Sequence, residues 1–281
     1  MKSIDTLVDD IYKLMLDKPT IAEEYCRKFS HVLGNSIIRR FGPEEKFRDR
    51  KGLRASNIGT KCDRKLFYEH SKVDYPVEEL PANAHIKFMF GDILEELLFF
   101  LAEAAGHNVT GLSDRMEYGG IVGHRDGIID GVLVDVKSCS SFSFKKFTNH
   151  LTHANDDFGY IDQLQFYLHA CQNDPLVLDK TRAAFFVIDK TLGSIALDFH
   201  ALEDYNLQAL IDHKKAVIVS DTVPERLYED EPMGKSGNMK LGAACSYCNR
   251  KQTCWPEAKA YYYSTGPVYL TKVVKEPRVD V

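Results

Sequence analysis

The chain has 281 residues, 44% hydrophobic and 27% charged, which is enough length and apolar content for one large buried core or two small ones. Its formal net charge of -5 excludes a polypeptide that coats nucleic acid by bulk electrostatics, so any such contact has to come from a local basic patch. No run approaches the roughly 20 apolar residues of a membrane span; the best stretch, residues 93–105, is interrupted by Glu95, Glu96 and Glu103. The start, Met1-Lys2-Ser3-Ile4-Asp5, has no apolar leader core, so a cytoplasmic location without membrane contact is expected.

Residues 1–35 read as two amphipathic helices, with Ile4, Leu7, Val8, Ile11 and Leu14 on the first stripe. Residues 37–54 are charged and irregular, setting Arg39, Arg40, Lys46, Arg48, Arg50, Lys51 and Arg54 against Glu44, Glu45 and Asp49. Arg64 and Lys65 follow, and the cluster fits a solvated loop as well as a phosphate track. Ser56 is predicted to cap a helix running to about His70, and Asn83 a longer one over residues 84–105, ended by Gly106. Strands are expected at 109–112, 115–118, 127–129 and 132–137. Asp156 or Asp157 opens a helix to Cys171; strands at 183–189 and 194–199 and a helix at 202–219 follow. Residues 224–238 read as a linker to a cysteine-bearing tail. Within it Gly234-Lys235-Ser236 lacks the first glycine of a phosphate-binding loop, because Glu229 stands there, which excludes a nucleotide-driven motor. This order of elements predicts an α/β or α+β core with a mixed sheet.

The chemistry concentrates between Gly123 and Lys137. Asp130-Gly131 is a two-residue hairpin signal, and it brings Asp126 across from Asp135. Along the second strand Leu133, Asp135 and Lys137 share one face while Val132, Val134 and Val136 share the other, apolar one. Two carboxylates and an ammonium at a strand's exit suit magnesium or manganese held against a phosphodiester. By itself the triplet Asp135-Val136-Lys137 also fits an edge strand with alternating charges. Glu95, four residues after Gly91, projects from the apolar stripe of the long helix as a rim residue or a ligand. Gln163 and Tyr167 share a helix face with Tyr160.

Seven cysteines without an export signal disfavour a disulfide framework. Cys245, Cys248 and Cys254 crowd into ten residues as C-x2-C-x5-C, a spacing that favours metal ligation over packing.

Taken in order, the Gly91-x3-Glu95 helix, the Gly123-x2-Asp126 strand, Asp135-Val136-Lys137 and the Gln163-x3-Tyr167 helix resemble the RecB-like branch of the PD-(D/E)XK nucleases. Cys62-Asp63-Arg64-Lys65-x-x-Tyr68 is similar to the segment that opens members of that branch closed by an iron-sulfur cluster. The resemblance covers roughly residues 53–255. It implies a restriction-endonuclease-like core at 53–222, with a helical region and basic linker at 1–52 before it and a cysteine-rich segment at 223–281 closing it. Asp126, Asp135 and the carbonyl of Val136 would hold magnesium or manganese, with Glu95 completing the set although many relatives carry histidine there. Lys137 would orient the attacking water, and Gln163 and Tyr167 would hydrogen-bond and place the nucleic-acid strand. Cys62, Cys245, Cys248 and Cys254 would hold a 4Fe-4S cluster, with zinc as the competing occupant; Cys26, Cys139 and Cys171 are left as packing residues. Phe142, Phe144, Lys145, Lys146 and Phe147 offer stacking and steering groups, or the face of an amphipathic helix. His124 could contact substrate or be structural. The implied activity is a metal-dependent DNA exonuclease acting on single strands or free ends. It would work in phage DNA processing, CRISPR spacer acquisition, recombination or repair, with the protein partners of those systems. The rival is a non-catalytic, zinc- or cluster-stabilised DNA-binding scaffold.

Overall fold

The protein is described by a computed structural model at residues 2–41, 52–80, 82–264 and 266–279. Two units divide the chain, Met1–Gly59 with Ala82–Gln208 and Thr60–Pro81 with Ala209–Val281. In chain order the helices are α1 (Leu7–Asp17), α2 (Glu23–Phe41), α3 (Ala55–Ile58), α4 (Asp63–His70) and α5 (Ala82–Ala104), then α6 (Ser141–Thr148), α7 (Tyr160–Ala170), α8 (Leu207–Ile218), α9 (Ala243–Ser246) and α10 (Lys251–Cys254). The strands are β1 (Val109–Thr110), β2 (Arg115–Tyr118), β3 (Ile121–His124), β4 (Gly127–Ile129), β5 (Val132–Cys139), β6 (Asp179–Asp189), β7 (Ile195–Ala201), β8 (Asp230–Pro232), β9 (Met239–Leu241), β10 (Lys259–Tyr263) and β11 (Gly266–Lys272).

The first unit is a mixed α/β structure around a five-stranded sheet ordered β1-β4-β5-β6-β7, in which β5 and β6 run parallel and the other pairs antiparallel. One face carries Val132, Val134, Val136, Ala184 and Phe186 against Ile4, Leu7 and Ile11 of the N-terminal helical segment and Leu98, Phe99 and Ala102 of α5. Burying side chains of this size stabilises by about 1.5–3 kcal/mol each. The opposite face carries Phe185 against Phe147 of α6 and Tyr160 of α7. A central mixed sheet flanked by helices is therefore the architecture, as the alternation of elements predicted.

Several local expectations need correction. The helix expected from Ser56 to His70 is two, because Gly59 ends α3 and Cys62, in extended conformation, starts α4. The break has a tertiary cause: Gly59 and Gly159 pass so close that a Cβ on Gly59 would lie 1.8 Å from the carbonyl oxygen of Gly159. An additional strand, β3, pairs with β2 through Gly119-Gly120, both at positive φ, a two-residue turn that the sequence reading overlooked. Asn83 lies inside α5 and does not cap it, whereas Gly106 at φ 87° does end it. Asp156 stands ahead of α7, accepting the N–H groups of Gly159 and Ile161 at 2.9 Å each.

The second unit holds α4, nearly all of α8, the short helices α9 and α10, and an antiparallel sheet ordered β10-β11-β9-β8. Residues 224–238 are not a linker. Asp230–Pro232 pairs with β9, and Asn238 is buried, its side-chain oxygen accepting from the N–H of Val274 and Lys275 and its amide donating to the Lys275 carbonyl. A small apolar cluster of Leu241, Trp255, Ala258 and Tyr269 forms this unit's core. No helix among the described residues is long and apolar enough to cross a membrane.

Candidate active site

Asp130 and Gly131 adopt φ of 51° and 83°, the left-handed pair that a tight hairpin requires, and a Cβ on Gly131 would strike Leu178 at 2.7 Å. The turn fixes the register Gly127↔Val134, so Asp126 falls opposite Asp135 just past the end of β4. There the Asp126 carboxylate accepts the Val136 N–H at 2.7 Å, taking over where the ladder ends. Val136 itself is buried in the apolar core, while Asp135, 3% exposed, and Lys137 share the other face and pair with each other. The Lys137 ammonium approaches Oδ2 of Asp135 as a close ion pair. The same ammonium sits 4.8 Å from the Tyr160 ring centroid.

Glu95 comes from α5, one turn after Gly91, whose missing side chain leaves room beside Ser138. Glu95, Glu96 and Asp126 line one cleft of roughly 490 Å³ with Val32, Asn35 and Phe99. Burial, and then the repulsion of Asp126, pushes the Glu95 carboxyl up to about 9. Burial and Asp135 push Asp126 up to about 7. Lys137 moves oppositely to a desolvated amine: burial pulls its pKa down, but Asp135 and Asp126 outweigh it and raise it. Glu95 and Asp126 thus resist ionising together, and the Lys137 ammonium is the positive charge that offsets them.

Gln163 and Tyr167 meet on α7, where Gln163 hydrogen-bonds the Tyr167 hydroxyl and burial pushes that phenol up to about 12. Tyr167 is buried, and its hydroxyl would lie 2.9 Å from a Cβ on Gly123, so both this tyrosine and the glycine of Gly123-x2-Asp126 serve close packing of α7 on β3. Lys46, Arg48, Arg50 and Lys51 of the basic track lie outside the described residues. Arg40 is bound to Asp92 through Nε at 2.9 Å, Arg54 precedes α3, and His124 is exposed at the end of β3. In α6 Phe147 is buried, Phe142 is 75% exposed, and Lys146 is tied to Asp157 at 2.8 Å, which leaves Lys145 and Phe142 facing solvent.

Cys62, Cys245, Cys248 and Cys254 line a single cavity with Arg64, Lys65 and Trp255. All are unpaired thiols. Burial pushes Cys245 up to about 11 and raises Cys248. The segment is braced by Lys251 against Glu78 and by Arg250 donating to the Tyr75 carbonyl. Of the other three, Cys171 is buried, Cys139 half-buried and Cys26 exposed, so packing accounts for Cys171 better than for Cys26.

Two features escaped the sequence reading. Arg125, 2% exposed, ties Asp114 and Asp174 at 2.5 Å each and donates to the Gly111 carbonyl, clasping the β1–β2 connection. His150, Asp198 and His200 bring three donor atoms within 4.8 Å of one another; among the described residues the acids and the cysteines are each more widely spread than this set. Nothing in the sequence flags residues 48 and 2 apart, because only the turn after α6 brings His150 to the two residues of β7.

No family model and no curated protein matches the chain. Among solved structures it is similar to the crystal structure of SSO0001, at 16% identity and a TM-score of 0.41, over 80% of this chain and 95% of that one.

Proposed function

We propose that the chain is a magnesium- or manganese-dependent deoxyribonuclease of the PD-(D/E)XK superfamily, in its RecB-like branch. The observation that carries the reading is the hairpin that sets Asp126 opposite Asp135, with Lys137 two residues on and Glu95 lining the same cleft as Asp126. The order α5, β4–β5 hairpin, β6 and the packing of α7 on that sheet support a restriction-endonuclease-like core. The donors are hard oxygens, the kind taken by an ion that keeps several waters and few carboxylates. Asp126, Asp135 and the Val136 carbonyl would hold it, with Glu95 ionising only once the ion offsets its neighbours. When bound, the ion supplies Lewis acidity to the phosphate and lowers the pKa of a bound water. Lys137, pinned by Asp135, orients the attacking water and offsets charge building on the phosphate. Gln163 and Tyr167, which the motif set assigns to placing the nucleic-acid strand, would act by bracing β3 through Gly123, since Tyr167 is buried, and the exposed Phe142 and Lys145 would contact nucleic acid.

The four-thiol cavity supports a 4Fe-4S cluster in the second unit. Zinc is the other occupant that four thiolates fit. Exonuclease action on single strands or free DNA ends, in phage, recombination or spacer-acquisition settings, follows from the resemblance of the motif set. End-labelled single-stranded DNA with magnesium tests the reading: the chain is expected to digest it, and Lys137→Ala to abolish digestion with binding retained. Binding without digestion by the unaltered chain would instead establish the scaffold alternative.

A further inference from the structure

We propose that His150, Asp198 and His200 form a second metal site, built for a borderline divalent ion of the zinc or cobalt class. Nδ1 of His150 lies 2.7 Å from Oδ1 of Asp198, and Nε2 of His200 lies 3.1 Å from Oδ2. The two imidazole rings stack at 4.6 Å between centroids, so one nitrogen of each converges on the same carboxylate. Asp198 is 4% and His200 5% exposed, and the Leu151 N–H donates to Asp198 at 2.9 Å, fixing the carboxylate from behind as outer partners of a metal ligand do. His150 supplies the open side: its side chain is 59% exposed, which gives an ion a path in and water a fourth position.

Backbone geometry points the same way. His150 holds φ at 64°, a left-handed conformation uncommon for residues with a side chain, directly after the end of α6. That conformation turns its imidazole inward to meet Asp198. A zinc-class ion bonds nitrogen at about 2.0–2.1 Å and carboxylate oxygen at about 2.0–2.2 Å, so a tetrahedral arrangement sets nitrogen and oxygen about 3.4 Å apart. The contact of His150, at 2.7 Å, therefore has to open by about 0.7 Å, which rotation of its exposed ring supplies, and that of His200, at 3.1 Å, by about 0.3 Å. The ion takes the place of the bridging ring proton, and that proton moves to the other nitrogen of the same imidazole. Two nitrogens and one carboxylate select borderline ions over magnesium. The register Asp135↔Phe185 and Phe185↔Asp198 puts this set on the same sheet face as Asp135, two strands away. It does not depend on the nuclease reading.

Titrating the full-length chain with cobalt(II) tests the site. The unaltered chain is expected to gain visible d–d absorption and a higher melting temperature. His150→Gly, which suits φ 64°, is expected to melt no lower without metal, to bind one equivalent less and to lose the metal-dependent rise. His200→Asn should behave alike in binding, and if it does not fold His150→Gly still decides. Equal cobalt stoichiometry in His150→Gly, or a missing equivalent whose spectrum carries a thiolate charge-transfer band, would overturn the proposal.

Discussion

The acid set of the first unit and the thiol set of the second are built on opposite principles. Asp126, Asp135 and Lys137 lie within twelve residues, and a left-handed turn, a ladder register and one hydrogen bond to Val136 fix them on a sheet with a large apolar core. The four cysteines are drawn from residues 62–254, stand on or beside four-residue helices or a helix cap, and rest on a core of four buried residues. A scaffold of the first kind holds its donors whether or not an ion is bound, whereas the second, on the proposed cluster reading, would rely on what it binds to hold its shape.

Function should separate the two most sharply. Lys137→Ala and Asp126→Asn are expected to lower magnesium-dependent cleavage by at least about 10²–10³-fold, the scale of losing one charge-stabilising group. The melting temperature of Asp126→Asn should change little, because an asparagine oxygen still accepts the Val136 N–H, whereas Lys137→Ala leaves the buried Asp135 without its ion pair and should melt lower while staying folded. Collapse of either variant would break the contrast. Cys248→Ala should do the reverse: visible absorption and bound iron fall away and the second unit loses several kcal/mol, since metal-binding energy in such a segment is folding energy. Cys171→Ala, outside the cavity, should leave absorption and iron unchanged.

The pH response sharpens the contrast further. Glu95 and Asp126 have raised pKa values in the fold, so the metal-free protein binds more protons than the unfolded chain. The stability they contribute is fully present below about pH 4 and is lost as pH rises through about 7 and 9. Melting in chelator should fall across that window, and magnesium should flatten the fall by binding the ionised form. A flat profile without metal would show that the acids are not mutually frustrated. The smallest effect is expected from Phe142→Ala, whose exposed ring should leave melting within about 0.5 kcal/mol and slightly weaken binding of single strands in a filter assay.

The hairpin was legible in the sequence because everything that fixes it is local: alternating valines, an Asp-Gly turn and a two-residue side-chain period. The strand β3 was legible too, in Gly119-Gly120, but its turn signal was passed over. The break between α3 and α4 was legible only in part: Gly59 is a helix-ending signal, but the approach of Gly159 that requires it is tertiary. Likewise Tyr167 reads from its spacing as a substrate contact, and its burial against Gly123 depends on how α7 lies on β3, which no local pattern encodes. The histidine and aspartate set needed the turn after α6 to bring His150 onto β7 before its members met.

The crossing of Gly59 and Gly159 has a bearing on ancestry. Each would-be Cβ lies within 1.8 Å of the other's carbonyl oxygen, so neither position tolerates any other amino acid while its partner's backbone stays where it is. A lineage cannot leave this arrangement by single steps. Two glycines a hundred positions apart thus form a heritable fingerprint, one that could sort true descendants of this chain from sequences sharing only the short acidic motifs.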